Sequence, residues 1–576
     1  MPARHGSWKK LISVLVAVGI AISAHAQGKL SPDLAKLSST TSVNVIIQYV
    51  NPPTSIEDNS VASIGGKNGK ALGHMKAKKW TMTAGAAGTL LTLDPNVKYV
   101  SVDRPLNSAT FDTNIVAVNG DLATNLGYDG TGVGVAVIDS GISANNDFFP
   151  ANATRGSRVV YRENFDPSTT VTTDLYGHGT HVAGIIAGNG YNSSCSNCSL
   201  TLRGVAPNAN IINLRALDVN GSATDSTVIA AIQQAIALKS TYNIRVINLS
   251  LGRGIFESYT NDPLCQAVED AWNNGIVVVV AAGNYGRDNS SGNNGYGTIT
   301  APGNDPYVIT VGAMKTLGTY PTADDQIATY SSKGPTMLDH VVKPDLVAPG
   351  NLIVSDLAST SDTLYRSNPS NLVPLSYYNN GSSSKSSSTY FLLSGTSMAA
   401  PMVSGAAALL IQKDPTLTPD QVKARLMKTA NKAFPQYTSY TDPSTGITYN
   451  EQYDMFTVGA GYLDTYAALQ NTDVAPTTTG IAMSPTAVYD STTGQVDLVN
   501  GSSVLWGTSV LWGTSVVWGN SVLWGTNATG QSVLWGSSVL WGNSTSNAFS
   551  VLWGTSVMWG AKTNSDAMTI AIGGDK

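Results

Sequence analysis

The sequence predicts an α/β protein built on a mainly parallel sheet with helices on both faces, preceded by a small α+β unit and followed by a repetitive tail. Three observations carry this prediction. Short apolar runs recur at residues 133–138, 211–214, 246–249, 276–281 and 307–311, as expected of strands buried on both faces. Stretches of helical spacing, 226–238 and 263–273, fall between them, and strand–helix alternation implies parallel strands joined by right-handed crossovers. A chain of 576 residues also exceeds one ordinary domain, so the flanks of this core are read as separate segments.

From the start, Arg4, Lys9 and Lys10 lead into an apolar run at 11–22, and Ala24-His25-Ala26 stands before Gln27. This is the pattern of a secretory signal, residues 1–26; the run is short for a membrane span. Export to the cell surface or medium agrees with the composition. Charged residues make up 12% of the chain, about half the usual share, and Gly, Ser, Thr and Asn take their place. A net charge of −5 gives no basic footprint, which argues against nucleic acid as a partner. The three cysteines, Cys195, Cys198 and Cys265, cannot make a four-cysteine zinc site. In an exported protein one disulfide and one free thiol are expected: Cys195 with Cys198, or one of them with Cys265.

Residues 27–109 form the small first unit. Val43, Val45, Ile47 and Tyr49 alternate as on one strand face, and 89–93 and 97–102 also read as strands. Gly65, Gly66, Gly69 and Gly73 interrupt the middle and weaken any helix there.

The core, residues 110–470, carries the chemistry. In Ser394-Gly395-Thr396-Ser397-Met398-Ala399-Ala400-Pro401, Ser397 opens a small-residue run that reads as a buried helix. Free N–H groups at a helix start can hold a developing oxyanion while a hydroxyl attacks a carbonyl. A lone serine caps helices far more often than it reacts, so a base and an orienter are required. His178 supplies the base in Gly177-His178-Gly179-Thr180-His181, and Asp139 the acid, at the end of the apolar run Val135-Ala136-Val137-Ile138. The carboxyl ends of parallel strands are where such groups collect. Asn284 ends another run, Val277-Val278-Val279-Val280-Ala281-Ala282-Gly283.

These four motifs, in the order Asp, His, Asn, Ser, resemble those of the subtilisin-like serine proteases (subtilases) from about Asn114 to Gln470. The resemblance implies a subtilisin-like fold and an Asp139–His178–Ser397 triad. Asn284 and the Ser397 N–H would form the oxyanion hole. Asn220-Gly221-Ser222 and Ser250-Leu251-Gly252 would clamp an extended peptide, and Ala281, Ala282 and Gly283 would wall the pocket before the cut. Arg253 and Glu257 lie near this edge and leave its charge preference open. His181, Ser332 and Asp345 are read as structural. Met402 stands where the family often has histidine. Residues 27–109 resemble the family's propeptide, which templates folding and blocks the cleft until it is cut, here near Ser108 or Ala109. The chemistry needs no cofactor. A structural calcium is left open, because the loop 189–200, which carries calcium in many relatives, is replaced here by a cysteine-containing loop. A second insertion, 355–393, is expected to be a surface excursion beside the cleft.

Residues 471–500, containing Pro476-Thr477-Thr478-Thr479-Gly480, read as a linker. From 501 to 576 a Ser-Val-Leu-Trp-Gly-Thr motif recurs, with tryptophans at 506, 512, 518, 524, 535, 541, 553 and 559 and no charge between Asp497 and Lys562. The even period suits a stacked β-repeat; a weakly ordered, self-pairing tail is the equal alternative. Exposed tryptophans would attach it to cell-surface material or to sister chains. The expected function is therefore an exported serine endopeptidase acting on proteins or peptides and activated by loss of its propeptide. Its alternatives are a surface-attachment protein in which the tail does the work, and an esterase or exopeptidase on the same triad.

Overall fold

The computed structural model describes residues 29–499 apart from 36, 74, 104–109, 152, 291, 381–384 and 491–494, together with 533–535, 539–541 and 574–575. The signal, the expected cut near Ser108 or Ala109 and most of the repeat lie outside the described residues. The chain divides into two compact units, Met1–Ser108 and Ala109–Lys576.

The first unit contains β1 (Ser42–Tyr49), α1 (Ser55–Ser63), β2 (Lys67–Ala71), β3 (Ala77–Thr83), α2 (Ala84–Leu93) and β4 (Val97–Val102). The strands form an antiparallel sheet in the order β2-β3-β1-β4. Its core joins Val45, Ile47, Trp80 and Val100 to Val61 and Leu90 of the helices. Residues 89–93, expected as a strand, instead complete α2. The Thr83 hydroxyl accepts the Ala86 N–H, and Ala84, Ala87 and Leu90 are buried at helical spacing. The glycines do not weaken a helix either. α1 ends before them, started by a Thr54–Glu57 capping box, and they serve the hairpin that follows.

The second unit is built on β5 (Gly134–Asp139), β6 (Val159–Asn164), α3 (His178–Ala187), β7 (Asn210–Arg215), α4 (Asp225–Tyr242), β8 (Ile244–Leu249), α5 (Pro263–Asn273), β9 (Val277–Ala281), β10 (Ile309–Lys315) and β11 (Leu346–Pro349). Parallel strands run in the order β11-β10-β9-β8-β5-β7-β6, and Gln326–Ile327 lies antiparallel on β10. Every residue of β5 and β9 is buried, so both faces of the sheet are covered. The run expected at 307–311 is displaced to β10 because Tyr307 sits in a turn, its N–H bonded to Asp305.

The chain continues through β12 (Ile353–Asp356), β13 (Leu372–Pro374), β14 (Ser386–Leu393), α6 (Thr396–Lys413) and α7 (Pro419–Thr429). α3 and α6 pack together against the sheet, and α4 and α5 form a separate pair on it. The insertion 355–393 is more than an excursion. β12, β14 and β13 make a three-stranded sheet, and Val373, Tyr378 and Tyr390 share a small apolar cluster with Cys198 and Leu202. The two insertions thus pack on each other. Cys195 and Cys198 are paired, and Cys265 is a buried free thiol.

Residues 471–500 are not a free linker. Ala475, Ile481, Ala482 and Ala487 are buried in the main core. The Asp420 carboxylate accepts the N–H groups of Gly480 and Ala482. Beyond them lies a hairpin of β15 (Thr486–Asp490) and β16 (Gln495–Val499). Its Thr and Pro content suggests a spacer, yet Ile481-Ala482 supplies apolar contact that holds it to the core. Within the repeat, Val533–Trp535 and Val539–Trp541 pair as antiparallel strands. No helix among the described residues is long and apolar enough to cross a membrane.

Candidate active site

Asp139 is the last residue of β5, buried, with one carboxylate oxygen accepting the Ser140 N–H at 2.7 Å. His178 is the first residue of α3. Its Nδ1 lies 2.8 and 3.0 Å from the two Asp139 oxygens, so Nδ1–H is donated to the carboxylate and Nε2 is left for a proton from elsewhere. Gly177 enters the helix at φ 105°, and a Cβ there would meet the Asp362 carboxylate at 2.7 Å; only glycine makes this turn.

Asp174, which the sequence reading missed, ties these pieces together. Fully buried, it accepts from the N–H groups of Tyr176, Gly177 and Thr180, the Thr180 hydroxyl and the Ser140 hydroxyl. It thereby fixes the start of α3 against the residue beside Asp139. An aspartate just ahead of a helix start was the available signal. His181 faces away from the cleft: its Nε2 lies 3.1 Å from each of the carbonyls of Ile353 and Phe391, and burial pulls its pKa down to about 3. It is neutral and structural, as expected.

Ser397 is the second residue of α6. Its hydroxyl donates to the Ser250 carbonyl at 3.1 Å, while the Ser250 hydroxyl donates to the Ser397 carbonyl at 2.8 Å. Behind them, Asn248 bonds the Ser250 and Ser404 hydroxyls, which pins α6 to the end of β8. Asn284 follows Gly283. Its Oδ1 accepts the Thr396 N–H at 2.9 Å and the Thr396 hydroxyl at 3.1 Å, and that hydroxyl also accepts the Gly283 N–H. With the carbonyl end tied back, the amide N–H₂ is left to the cleft. Ser332 is buried nearby and accepts the Tyr285 N–H. Asp345 is buried between Lys343 and Lys423, at 2.7 and 3.1 Å. Both are structural, as expected.

His178, Asn284 and Ser397 line one cleft of about 510 Å³. The expected clamp residues Gly221, Ser222, Ser250, Leu251 and Gly252 line it too, as do Ala281 and Gly283. Ala282 does not: its backbone binds Val311 and Thr300 on the buried side. Thr300, absent from the sequence reading, forms the floor. A Cβ on Gly252 would lie 2.5 Å from its Oγ1, and one on Gly283 would lie 2.8 Å from its Cγ2. Arg253, at the rim, is held by Asp225 at 2.8 Å and by Asp262 at 2.9 Å, so its charge is compensated. Among the described residues no group of three or more His, Cys, Asp or Glu side chains is arranged to hold a metal ion.

The subtilase family profile matches residues 130–460. Serine protease AprX of Bacillus subtilis is 36% identical over 61% of this chain and 73% of its own length. Subtilisin E of the same organism is 33% identical over 73% of this chain and 94% of its own. A solved cold-adapted subtilisin-like serine proteinase aligns with a TM-score of 0.38 at 27% identity, over 63% of this chain and 93% of that one. The chain belongs to the subtilase family and is a serine-type endopeptidase.

Proposed function

We propose that this endopeptidase is exported under the signal 1–26, is held inactive by residues 27–109 as a propeptide, and cuts proteins with Ser397, His178 and Asp139. The observation that carries this reading is the meeting, in one cleft, of the Asp139–His178 pair, Ser397 at a helix start and the outward amide of Asn284. On substrate entry the Ser397 hydroxyl turns from the Ser250 carbonyl to His178 Nε2, since such bonds tighten only in the substrate complex. Oγ then attacks the scissile carbonyl as Nε2 takes its proton, and the imidazolium so formed is stabilised by Asp139. The oxyanion lies between Asn284 Nδ2 and the Ser397 N–H, and His178 returns the proton to the leaving amine. Water then releases the acyl group by the same route.

The backbone of 220–222 and 250–252 pairs with the substrate as added strands. Thr300 limits the pocket's depth and Arg253 is neutralised, so a small or apolar residue is taken before the cut, with no call for an acidic one. No cofactor enters the chemistry. The loop 189–200 is fastened through its neighbour Asp147, whose two carboxylate oxygens accept the Asn192 N–H and the Tyr390 hydroxyl, at 2.7 Å each. The repeat, 501–576, attaches the enzyme to cell-surface material or to sister chains.

Asn284→Ala tests the assignment on a peptide blocked at both ends, which an exopeptidase cannot cut. It should lower kcat about 10²–10³-fold, the range known from a subtilisin, with KM little changed. Unchanged turnover would remove Asn284 from the site.

The pH profile tests the base. Burial pulls the His178 pKa down, but the charge and hydrogen bond of Asp139, with Asp174 adding, more than offset it, and the net shift is upward from 6.5. Only the neutral imidazole accepts the proton, so kcat/KM should rise with pH through a midpoint above 6.5. Asp139→Asn should move that midpoint down and cut turnover about 10⁴-fold. A midpoint that stays in place in the variant would mean that Asp139 does not set it.

A further inference from the structure

Beyond the catalytic cleft, one buried carboxylate of the second unit, partnered on both oxygens, belongs to a residue at the far end of the segment 501–576. Asp575 is 2% exposed. One of its carboxylate oxygens accepts from Arg287 at 2.7 Å and from the Thr329 hydroxyl at 2.8 Å. The other accepts the Thr329 N–H at 2.9 Å and lies 3.0 Å from Lys315 Nζ. The Asn351 side chain reads the backbone as well: its Oδ1 accepts the Asp575 N–H at 2.8 Å and its Nδ2 donates to the Asp575 carbonyl at 2.9 Å. Gly574 stands at φ 61°, and a Cβ there would lie 2.4 Å from Ser394 Oγ. A carboxylate, one peptide unit and the lack of a side chain on the preceding residue are therefore all recognised together.

The surroundings are built for an anion. Lys315 is buried, with the Tyr440 ring 4.1 Å from its Nζ, and Asp575 is its ion partner among the described residues. Arg287 lies over the Tyr449 ring and also pairs with Asp442. Lys315, a buried cation whose ion pair is made with Asp575, would be costly to leave without that carboxylate. The seat also adjoins the nucleophile segment. Leu352 N–H bonds Ser394 Oγ, Gly395 N–H bonds the Gly350 carbonyl, and Arg287 is three residues beyond Asn284.

We propose that Arg287, Lys315, Thr329 and Asn351 form a receptor for a Gly-Asp dipeptide, and that Gly574-Asp575 is its occupant. On the near side of the repeat segment the β15–β16 hairpin is held by a bridge between Val341 and Thr486, and beyond it Gly574-Asp575 braces 350–352 beneath Ser394. The proposal is independent of the roles assigned to the triad.

The test uses the full chain carrying Ser397→Ala to prevent self-digestion, and the same chain lacking residues 574–576. The probe is the peptide AIGGDK, blocked at both ends. The shortened chain should bind it saturably and the full chain should not. AIGGNK and AIGADK should bind at least about tenfold more weakly, since one charge-assisted contact or one steric clash is worth that much. In the full chain, Asp575→Asn and Gly574→Ala should each speed hydrogen exchange of the 350–352 amides at least about tenfold, and Asp566→Asn should leave it unchanged. This arm needs no truncated chain. Equal binding of the three peptides, or exchange at 350–352 that is the same in all variants, would overturn the proposal.

Discussion

Ser397→Ala should reduce hydrolysis of a blocked peptide by about 10⁶-fold, the scale set by removing the nucleophile of a subtilisin. The size of the loss follows from how the site divides its work. Without Oγ there is nothing for His178 to activate and no acyl-enzyme to form, while the oxyanion hole and the substrate clamp remain. Those leave a residue of about 10³–10⁴-fold over water. The variant should keep its fold. The Ser397 hydroxyl makes one hydrogen bond, to the Ser250 carbonyl, and that carbonyl becomes open to cleft water when the bond is lost, while the Ser250 hydroxyl still holds the Ser397 carbonyl. The same variant reports on maturation. Produced alone, it should remain at the length that includes residues 27–109, whereas the active chain should gain a new first residue between 104 and 115. Mass spectrometry of both, with unfolding curves to verify the fold, decides the matter. A variant that shortens itself in isolation would mean that another group makes the cut.

The sequence disclosed those parts of the site that are local. Asp139, His178, Asn284 and Ser397 each stand in a short motif at the end of a strand or the start of a helix, where chemistry and neighbours can be read within a few residues. The strands of the sheet were legible for the same reason, since burial on both faces leaves unbroken apolar runs such as 277–281. What escaped was everything set by distant partners. Thr300 carries no pattern of its own and becomes a pocket floor only because Gly252 and Gly283 leave room for it. Asp575 meets Asn351 and Arg287 across separations of 224 and 288 residues, which no window along the chain can join. The 89–93 run misled because Thr89 and Thr92 favour strands in isolation, while the cap at Thr83 and the burial of Leu90 decided for a helix. Residues 471–500 misled through composition, and the error has a measurable consequence.

Cutting the chain after Gln470, the end of the unit expected from sequence, should destabilise the catalytic unit rather than release it intact. Four kinds of contact would be lost at once. Ala475, Ile481, Ala482 and Ala487 leave the main core. The Asp420 carboxylate loses the N–H groups of Gly480 and Ala482 and keeps the Trp272 indole. Gln421 loses the Ala475 carbonyl, which its side chain reaches at 2.6 Å. Asp345 and Lys423 lose the Ser484 hydroxyl, at 2.6 and 3.0 Å. Each buried polar group left without a partner costs about 1–3 kcal/mol. Water reaching the new surface returns part of that, so a net loss of about 3–5 kcal/mol is expected, a large share of an ordinary margin of about 5–15 kcal/mol. In a unit of this size the unfolding midpoint should fall by about 5 °C. The informative comparison is a second cut, after Asn500, made like the first in the Ser397→Ala background and scanned at one rate. Both shortened chains lack Asp575, so the difference between them isolates 471–500. The longer chain should unfold well above the shorter one, and the shorter one should be the first to aggregate. Equal midpoints would mean that 471–500 rests on the core without supporting it, and that the catalytic unit ends where its composition changes.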